Sequence, residues 1–381
     1  MERFSFEQAE IEEARMKEKI ESGKAKNYPE AEGQVAEEMA QKFLSEHKPD
    51  PEVEGILGRV NFPLIQKLIA DRAVKAGISR NKINFVGKER IYQNTSLPLG
   101  QFVDEGNLIG IYLPATKNSE YAGARERNSE LYGSREIKLI HMLIHEETHA
   151  ASRHLCISAL PMLVDPSSDE FAKRWLEDPR EQESFPNFME LHLRSKQLEK
   201  EQVRKYKQSG YARNILDEEE KEIYFPKEGV SQPSRYTLFG VLNEGVVEKL
   251  ARQLTLLYLP QSGMPKDDIN QYKNNIEGKH DELVYSYEVA LIDAIVKKIV
   301  SVSQINEDVV WGALVRGLFE GETFSDPEVK KLFEETFGSD FLVELSQLQI
   351  GLFASYDNSM RKILEKYGLQ KPTNELGKEG I

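Results

Sequence analysis

Apolar residues recur with a helical spacing over much of this chain. In residues 63–76 they share one face, Pro63 suits the first helical position and Gly77 ends the segment. A second, strongly apolar helix is predicted over 240–258, where Pro260 stops it. Further helices are predicted over 282–302, 306–320, 327–337, 341–354 and around Arg361. Most of the chain is therefore expected to be α-helical.

Three short segments have the alternation that is typical of strands. They are residues 83–86, residues 90–92 and the apolar run 108–113, which Pro114 closes. Together with the helices they predict an α+β fold that is predominantly α and contains one small sheet.

Residues 134–152 form the most informative predicted helix. Ser134 is a good N-cap, and the segment is apolar round most of its circumference, which is typical of a helix buried in a core. Its apolar part nevertheless carries three histidines and two adjacent glutamates: His141, His145, Glu146, Glu147 and His149. Burying so many polar groups is costly unless something compensates them.

Composition changes along the chain and predicts four regions. Residues 1–54 are rich in Glu and Lys and are interpreted as a charged, partly mobile extension or accessory helix, with a helix over 36–44. Residues 55–159 form an α+β lobe, 160–235 a polar helical insertion that includes a long surface helix over 188–207, and 236–381 a C-terminal helical subdomain.

The overall charge limits the partners that this chain could bind. Its 381 residues include 64 Asp and Glu against 50 Lys and Arg, a formal charge of −14, which disfavours nucleic acid. No run approaches the roughly 18 apolar residues of a membrane helix, so no membrane partner is expected. The acidic N-terminus lacks the apolar core of a signal peptide, and Cys156 is the single cysteine. A reducing cytoplasm is the expected location.

Residues 145–149 read His-Glu-Glu-Thr-His, the HExxH pattern. Helix positions i and i+4 differ by about 40° and about 6 Å, so His145 and His149 can point at one metal ion. Glu146 then projects beside the metal, where it could act as general base toward a water that zinc polarises. His141, one turn earlier, is interpreted as a packed or cleft-lining histidine and not as a ligand.

A catalytic zinc requires a third protein ligand. A continuation to HExxHxxGxxH fails, because positions 152 and 155 are Ser152 and Leu155. The alternative is a glutamate from the helix over 240–258, which reads Leu-Asn-Glu-Gly-Val-Val-Glu from residue 242. Glu244 is set among apolar residues and needs a partner there. Glu248, one turn later, is placed to hydrogen-bond a ligating histidine.

The pair HEETHA and LNEGVVE resembles the gluzincin group of zinc metallopeptidases, to which thermolysin belongs. The resemblance implies a zincin-like core with a small sheet, one zinc ion bound by His145, His149 and Glu244, and Glu146 as the catalytic general base. It implies that Glu248 stands where an aspartate usually orients a histidine. It also implies that residues 108–113 form the strand that pairs with a bound peptide, and that 160–235 is an inserted subdomain.

Three functions are compatible with these residues. The leading hypothesis is a zinc metallopeptidase that acts on a peptide or protein; the alternatives are a zinc hydrolase of a non-peptide substrate and a non-enzymatic helical interaction protein. An oxyanion donor would be sought at Tyr285, Tyr287 or His280, since Tyr258 lies about 21 Å from Glu244 along one helix.

Overall fold

A computed structural model describes ten segments of the chain: residues 15–26, 28–93, 101–103, 107–111, 132–158, 204–211, 239–278, 285–320, 327–348 and 354–369. His280, one of the candidate oxyanion donors, lies outside them. No helix in these segments has the length and apolarity that crossing a membrane requires.

Most described residues belong to α-helices, as predicted. The helices are α1 (Tyr28–Glu46), α2 (Pro51–Arg59), α3 (Phe62–Lys75), α4 (Arg135–Ala151), α5 (Gly240–Tyr258), α6 (Lys266–Gly278), α7 (Ser286–Ser303), α8 (Glu307–Glu320), α9 (Pro327–Phe337), α10 (Asp340–Ser346) and α11 (Ala354–Lys366). Short 3-10 turns lie at Arg80–Lys82, Lys88–Arg90 and Leu259–Gln261. The strands are β1 (Ile91–Gln93), β2 (Gln101–Val103), β3 (Leu108–Ile111), β4 (Arg153–Ser158) and β5 (Arg204–Ser209).

The described strands form one sheet of three strands and one of two. In the first the order is β1-β3-β2, with β1 parallel and β2 antiparallel to β3. In the second, β4 and β5 pair antiparallel, so that Arg153 is opposite Ser209 and Ser158 is opposite Arg204. The prediction of a mainly α chain with a small sheet is confirmed.

The central position of β3 corrects one expectation. Ile109, Gly110 and Ile111 are each paired with β1, and the first two are also paired with β2. Both edges of the described strand are therefore occupied, and the expectation that a bound peptide would pair with the segment 108–113 is wrong for residues 108–111, while 112 and 113 lie outside the described residues. The three-residue strand β2, which takes one of those edges, is too short to give a periodic signal in the sequence.

Several further segments differ from their predicted structure. The helix predicted over 341–354 ends at Ser346, and the helices α2 and α6 were not predicted. Residues 83–86 do not form a strand, and residues 204–207, predicted as the end of a surface helix, lie in β5. The pattern Arg-Lys-Tyr-Lys-Gln-Ser of β5 alternates too weakly to indicate a strand. Its pairing with β4, some 50 positions earlier, is a long-range contact that a local pattern does not contain.

The described residues group into two compact units. The first draws on residues 1–72, 80–151 and 250–284, and the second on 73–79, 152–249 and 285–381. The four regions proposed from composition, with divisions at 54, 159 and 235, remain a prediction.

In the first unit, helix α4 packs against β2 and β3. Helix α1 covers the other end of the sheet: Ala40, Phe43 and Leu44 pack with Tyr92 and Leu108. The Gln93 amide donates to the carbonyl oxygen of His47 over 3.0 Å, which occupies the outer edge of β1. The C-terminal part of the predicted extension thus forms an accessory helix that packs one face against the core of this unit.

In the second unit, α7 packs against α8 and α9, and α9 packs against α10. Phe337 stacks on Phe341 with ring centroids 4.1 Å apart, and Tyr367 of the segment after α11 meets Phe341 edge-on. Trp311 of α8 is buried beneath the ammonium of Lys249, which lies 4.6 Å from the centre of its ring, and it is therefore a packing residue.

Candidate metal centre

Helix α4 is a buried helix with a defined N-terminal cap. The Ser134 side-chain oxygen accepts from the Ile137 amide over 3.2 Å, as its sequence predicts. Every residue from 137 to 151 is buried, including the three histidines and the two adjacent glutamates. The helix therefore presents polar groups to the interior on a face that needs compensation.

The two histidines of the HExxH pattern converge as predicted. The Nε2 atoms of His145 and His149 lie 3.1 Å apart, and both side chains are less than 10% exposed. Two nitrogen ligands at about 2.05 Å from a zinc ion and 3.1 Å apart subtend about 98°, close to the tetrahedral angle. The pair is therefore already spaced to hold one ion.

Glu244 supplies the third ligand atom of the group. One ligand atom from each of His145, His149 and Glu244 lies within 4.8 Å of the other two. A regular tetrahedral zinc site needs about 3.3 Å between ligand atoms, so the Glu244 carboxylate would close by at most about 1.5 Å. Glu244 is half-buried, whereas both histidines are buried. Among the described residues this is the group that could hold a metal ion.

The N-terminal half of α5, which carries Glu244, is held by its neighbours in the second unit. The Phe239 amide donates to the Ser346 carbonyl oxygen over 2.9 Å, and Phe239 adopts a left-handed conformation with φ 56°. Gly245 lets α7 approach closely, since a Cβ there would lie 2.8 Å from the Glu288 carbonyl oxygen and 2.7 Å from Ile292. Glu244 thus projects from a turn that is fixed on two sides.

Glu146, the predicted general base, is buried and lies near a tyrosine that the sequence did not indicate. Burial and, after it, the charge of Glu146 raise the pKa of the Tyr92 phenol to about 12. The Tyr92 ring crosses the face of β3 at Gly110, where a Cβ would meet its hydroxyl end. A three-residue strand gives no signal that would assign Tyr92 to this neighbourhood.

Glu147 occupies a different environment from Glu146, which precedes it. Burial raises the pKa of Glu147 to about 8, against a hydrogen bond from the Val86 amide to Oε2 (3.1 Å) that lowers it. Among the described residues, the other oxygen, Oε1, is buried and meets no donor at full hydrogen-bond geometry, although the Gln66 side chain is close enough to lower the pKa as well. The hydrogen bond from the Val86 amide joins α4 to the segment 83–86 and takes up a donor that a strand at position 86 would use for pairing.

His141 is a packed histidine, as predicted. Its Nδ1 lies 2.9 Å from the Tyr272 hydroxyl and 3.4 Å from the Thr255 hydroxyl, and its ring lies 5.1 Å from that of Tyr132. All four side chains are buried. This contact also places the C-terminal half of α5 against α4.

For the remaining candidate residues the structure gives burial or structural contacts. Glu248 is buried one turn after Glu244, and its role toward a ligating histidine stays a prediction. Tyr258 accepts a hydrogen bond from the Asn61 amide over 2.8 Å, and burial raises the pKa of its phenol, so it serves a structural contact as expected. Tyr285 is half-buried and Tyr287 is 41% exposed, and the assignment of an oxyanion donor to either remains open.

Neither the family models, nor the curated proteins, nor the solved structures contain a match to this chain.

Proposed function

We propose that this protein is a zinc-dependent metallopeptidase. The observation that carries the proposal is the convergence of His145, His149 and Glu244, whose ligand atoms lie within 4.8 Å of one another, directly beside Glu146 in the chain. Two histidines and one carboxylate are the donor set of catalytic zinc sites with an open fourth position. The half-buried state of Glu244 agrees with such an opening.

In amide hydrolysis, separate residues would bind the metal and transfer the proton. His145, His149 and Glu244 would hold the zinc ion, which when bound supplies a Lewis acid for a water and for the substrate carbonyl. Glu146 would accept a proton from the attacking water and return it to the leaving amine as the carbon–nitrogen bond breaks. The water oxygen ends in the new carboxyl group, so the reaction needs no further reactant.

A peptide is favoured over other substrates by the sheet beside α4. Among the described residues β2 pairs with β3 alone, whereas the outer edge of β1 is occupied by the His47 carbonyl. An extended peptide can add as a strand to an open sheet edge. Since α4 packs against β2, that edge lies beside the helix that carries Glu146.

Glu146→Gln tests the assignment of the general base. This variant is expected to bind zinc like the wild type, because Glu146 is not a ligand, and to lose about 10²- to 10⁴-fold of its peptidase rate. Zinc content by mass spectrometry and hydrolysis of a mixture of fluorogenic peptides are measured together. The exposed Glu307, replaced as Glu307→Gln, is the matched control and should leave both quantities unchanged.

Two results would overturn the proposal. Zinc-loaded wild-type protein that cleaves no peptide in the mixture would exclude the peptidase activity. Equal peptidase rates for wild type and Glu146→Gln would show that the hydrolysis has another origin.

A further inference from the structure

The ribbon formed by β4 and β5 is anchored where its two strands meet the rest of the second unit. The Gly210 amide, just after β5, donates to the carbonyl oxygen of Ser152 over 3.0 Å. Ser152 follows α4 directly and stands three positions after the ligand His149. This end of the ribbon therefore joins the chain that leaves the HExxH helix.

The same end of the ribbon is bound to α5 by Asn243. The Oδ1 atom of Asn243 accepts from the Tyr211 amide over 2.9 Å, and Asn243 is 1% exposed. Asn243 precedes Glu244, so on a helix its side chain points about 100° away from the carboxylate. A bond at Asn243 therefore fixes the rotation of the turn from which Glu244 projects.

The packing at this point admits little displacement. Gly210 has φ 58°, and a Cβ on it would collide with Oδ1 of Asn243 and with the Leu318 side chain. The Tyr211 hydroxyl donates to the Leu314 carbonyl oxygen over 2.7 Å, and its ring fills the space above Gly317. The amide that Asn243 binds is thus held rigidly by α8.

From these contacts we infer that Asn243 is a positioning residue for the metal ligand Glu244. It fixes the first turns of α5 against the ribbon end that also binds Ser152, and so sets the distance over which the carboxylate must close on the two histidines. The inference rests on the proposed metal site. A loss of this bond is expected to weaken metal binding beyond its effect on folding, because an outer hydrogen bond that orients a ligand is typically worth 10- to 100-fold in affinity.

The test compares the zinc dissociation constants of full-length variants, measured by competition with a chelating dye. Asn243→Leu keeps the side-chain size but removes the acceptor, and is expected to raise the dissociation constant about 10- to 100-fold. Asn243→Asp retains an acceptor at the same position and is expected to restore most of the affinity. Asn243→Ser, which is small and too short to reach the amide, should act like leucine and serves if the leucine variant fails to fold.

One control variant and one spectroscopic measurement separate an effect on ligand position from an effect on protein stability. Ile299→Ala removes a fully buried side chain of α7 remote in sequence from the anchor, and should lower stability while leaving the zinc dissociation constant unchanged. In cobalt-substituted protein, the visible absorption spectrum should change for Asn243→Leu and Asn243→Ser but not for Ile299→Ala, because it reports the ligand geometry.

The possible failures are distinguishable. Wild-type protein that binds no zinc would overturn both the proposed function and this inference. Zinc-binding wild type, together with Asn243 variants that keep its dissociation constant and cobalt spectrum, would overturn the positioning role alone. The same would follow if Ile299→Ala weakened zinc binding as much as Asn243→Leu.

Discussion

Glu146 and Glu147 are neighbours on one buried helix and have opposite chemical environments. Glu146 is buried near the Tyr92 phenol, whose pKa is raised by burial and, after it, by the charge of Glu146. Glu147 faces Val86, where burial raises the pKa of its carboxyl group to about 8. One residue step of 100° on the helix separates a candidate base from a structural acid.

Glu147 should make the metal-free protein less stable as the pH rises from about 4.5 to about 8. The pKa of Glu147 is about 8 in the folded chain, against an ordinary value of 4.5 that applies in the unfolded chain. Between these two pH values the folded state therefore binds more protons than the unfolded state. The free energy of unfolding then falls with pH, by up to about 1.4 kcal/mol per pH unit from this one group. Urea unfolding from pH 5 to pH 8 in the presence of a chelator measures the slope.

Glu147→Gln is the matched variant, because glutamine keeps an oxygen for the Val86 amide and does not ionise. Its unfolding free energy should fall less steeply over the same range. If the two slopes coincide, Glu147 is ionised in the folded protein and the neutral carboxyl is wrong.

At the scale of helices, α5 and α7 approach each other through a glycine next to the third metal ligand. A Cβ at Gly245 would contact the Glu288 carbonyl carbon and oxygen, which are backbone atoms that cannot rotate away. The close packing of these two helices therefore depends on the absence of a side chain at position 245.

Gly245→Ala should destabilise the protein by about 1–3 kcal/mol, since the helices must separate to admit the methyl group. Gly312→Ala is the control: Gly312 also lies inside a helix, but a Cβ there meets nothing within 4 Å, so alanine should stabilise by about 0.5–1 kcal/mol. Chemical unfolding of both variants measures the difference, and a Gly245→Ala protein as stable as Gly312→Ala would contradict the packing.

At the scale of the whole molecule, the elements that sequence predicted well are those with a strong local signal. The cap at Ser134 and the apolar run after it placed α4 to within one residue, and Pro260 placed the end of α5. The short strands β2, β4 and β5 were not predicted from the sequence, because β2 has only three residues and β4 and β5 pair with each other from distant positions in the chain. Position 86 was misassigned since its amide binds Glu147 instead of a strand.

In the candidate site, too, the residues with a local sequence signal were predicted and those placed by long-range contacts were not. The spacing of His145 and His149 follows from helix geometry alone, and so does their convergence on one point. Glu244 could be selected because a carboxylate among apolar residues needs a partner. Tyr92 and Asn243 could not, since their relation to the site arises only when a strand crosses Gly110 and a ribbon end reaches α5.

The most direct test of the metal centre is the zinc content of the purified full-length protein by mass spectrometry, wild type beside Glu244→Ala. With Glu307→Ala as an exposed control, we expect about one zinc per chain in wild type and control. We expect much less zinc in Glu244→Ala, because two histidines alone hold the ion weakly. Zinc-free wild type after zinc has been supplied, or a Glu244→Ala protein that keeps its full complement, would contradict the proposed metal centre.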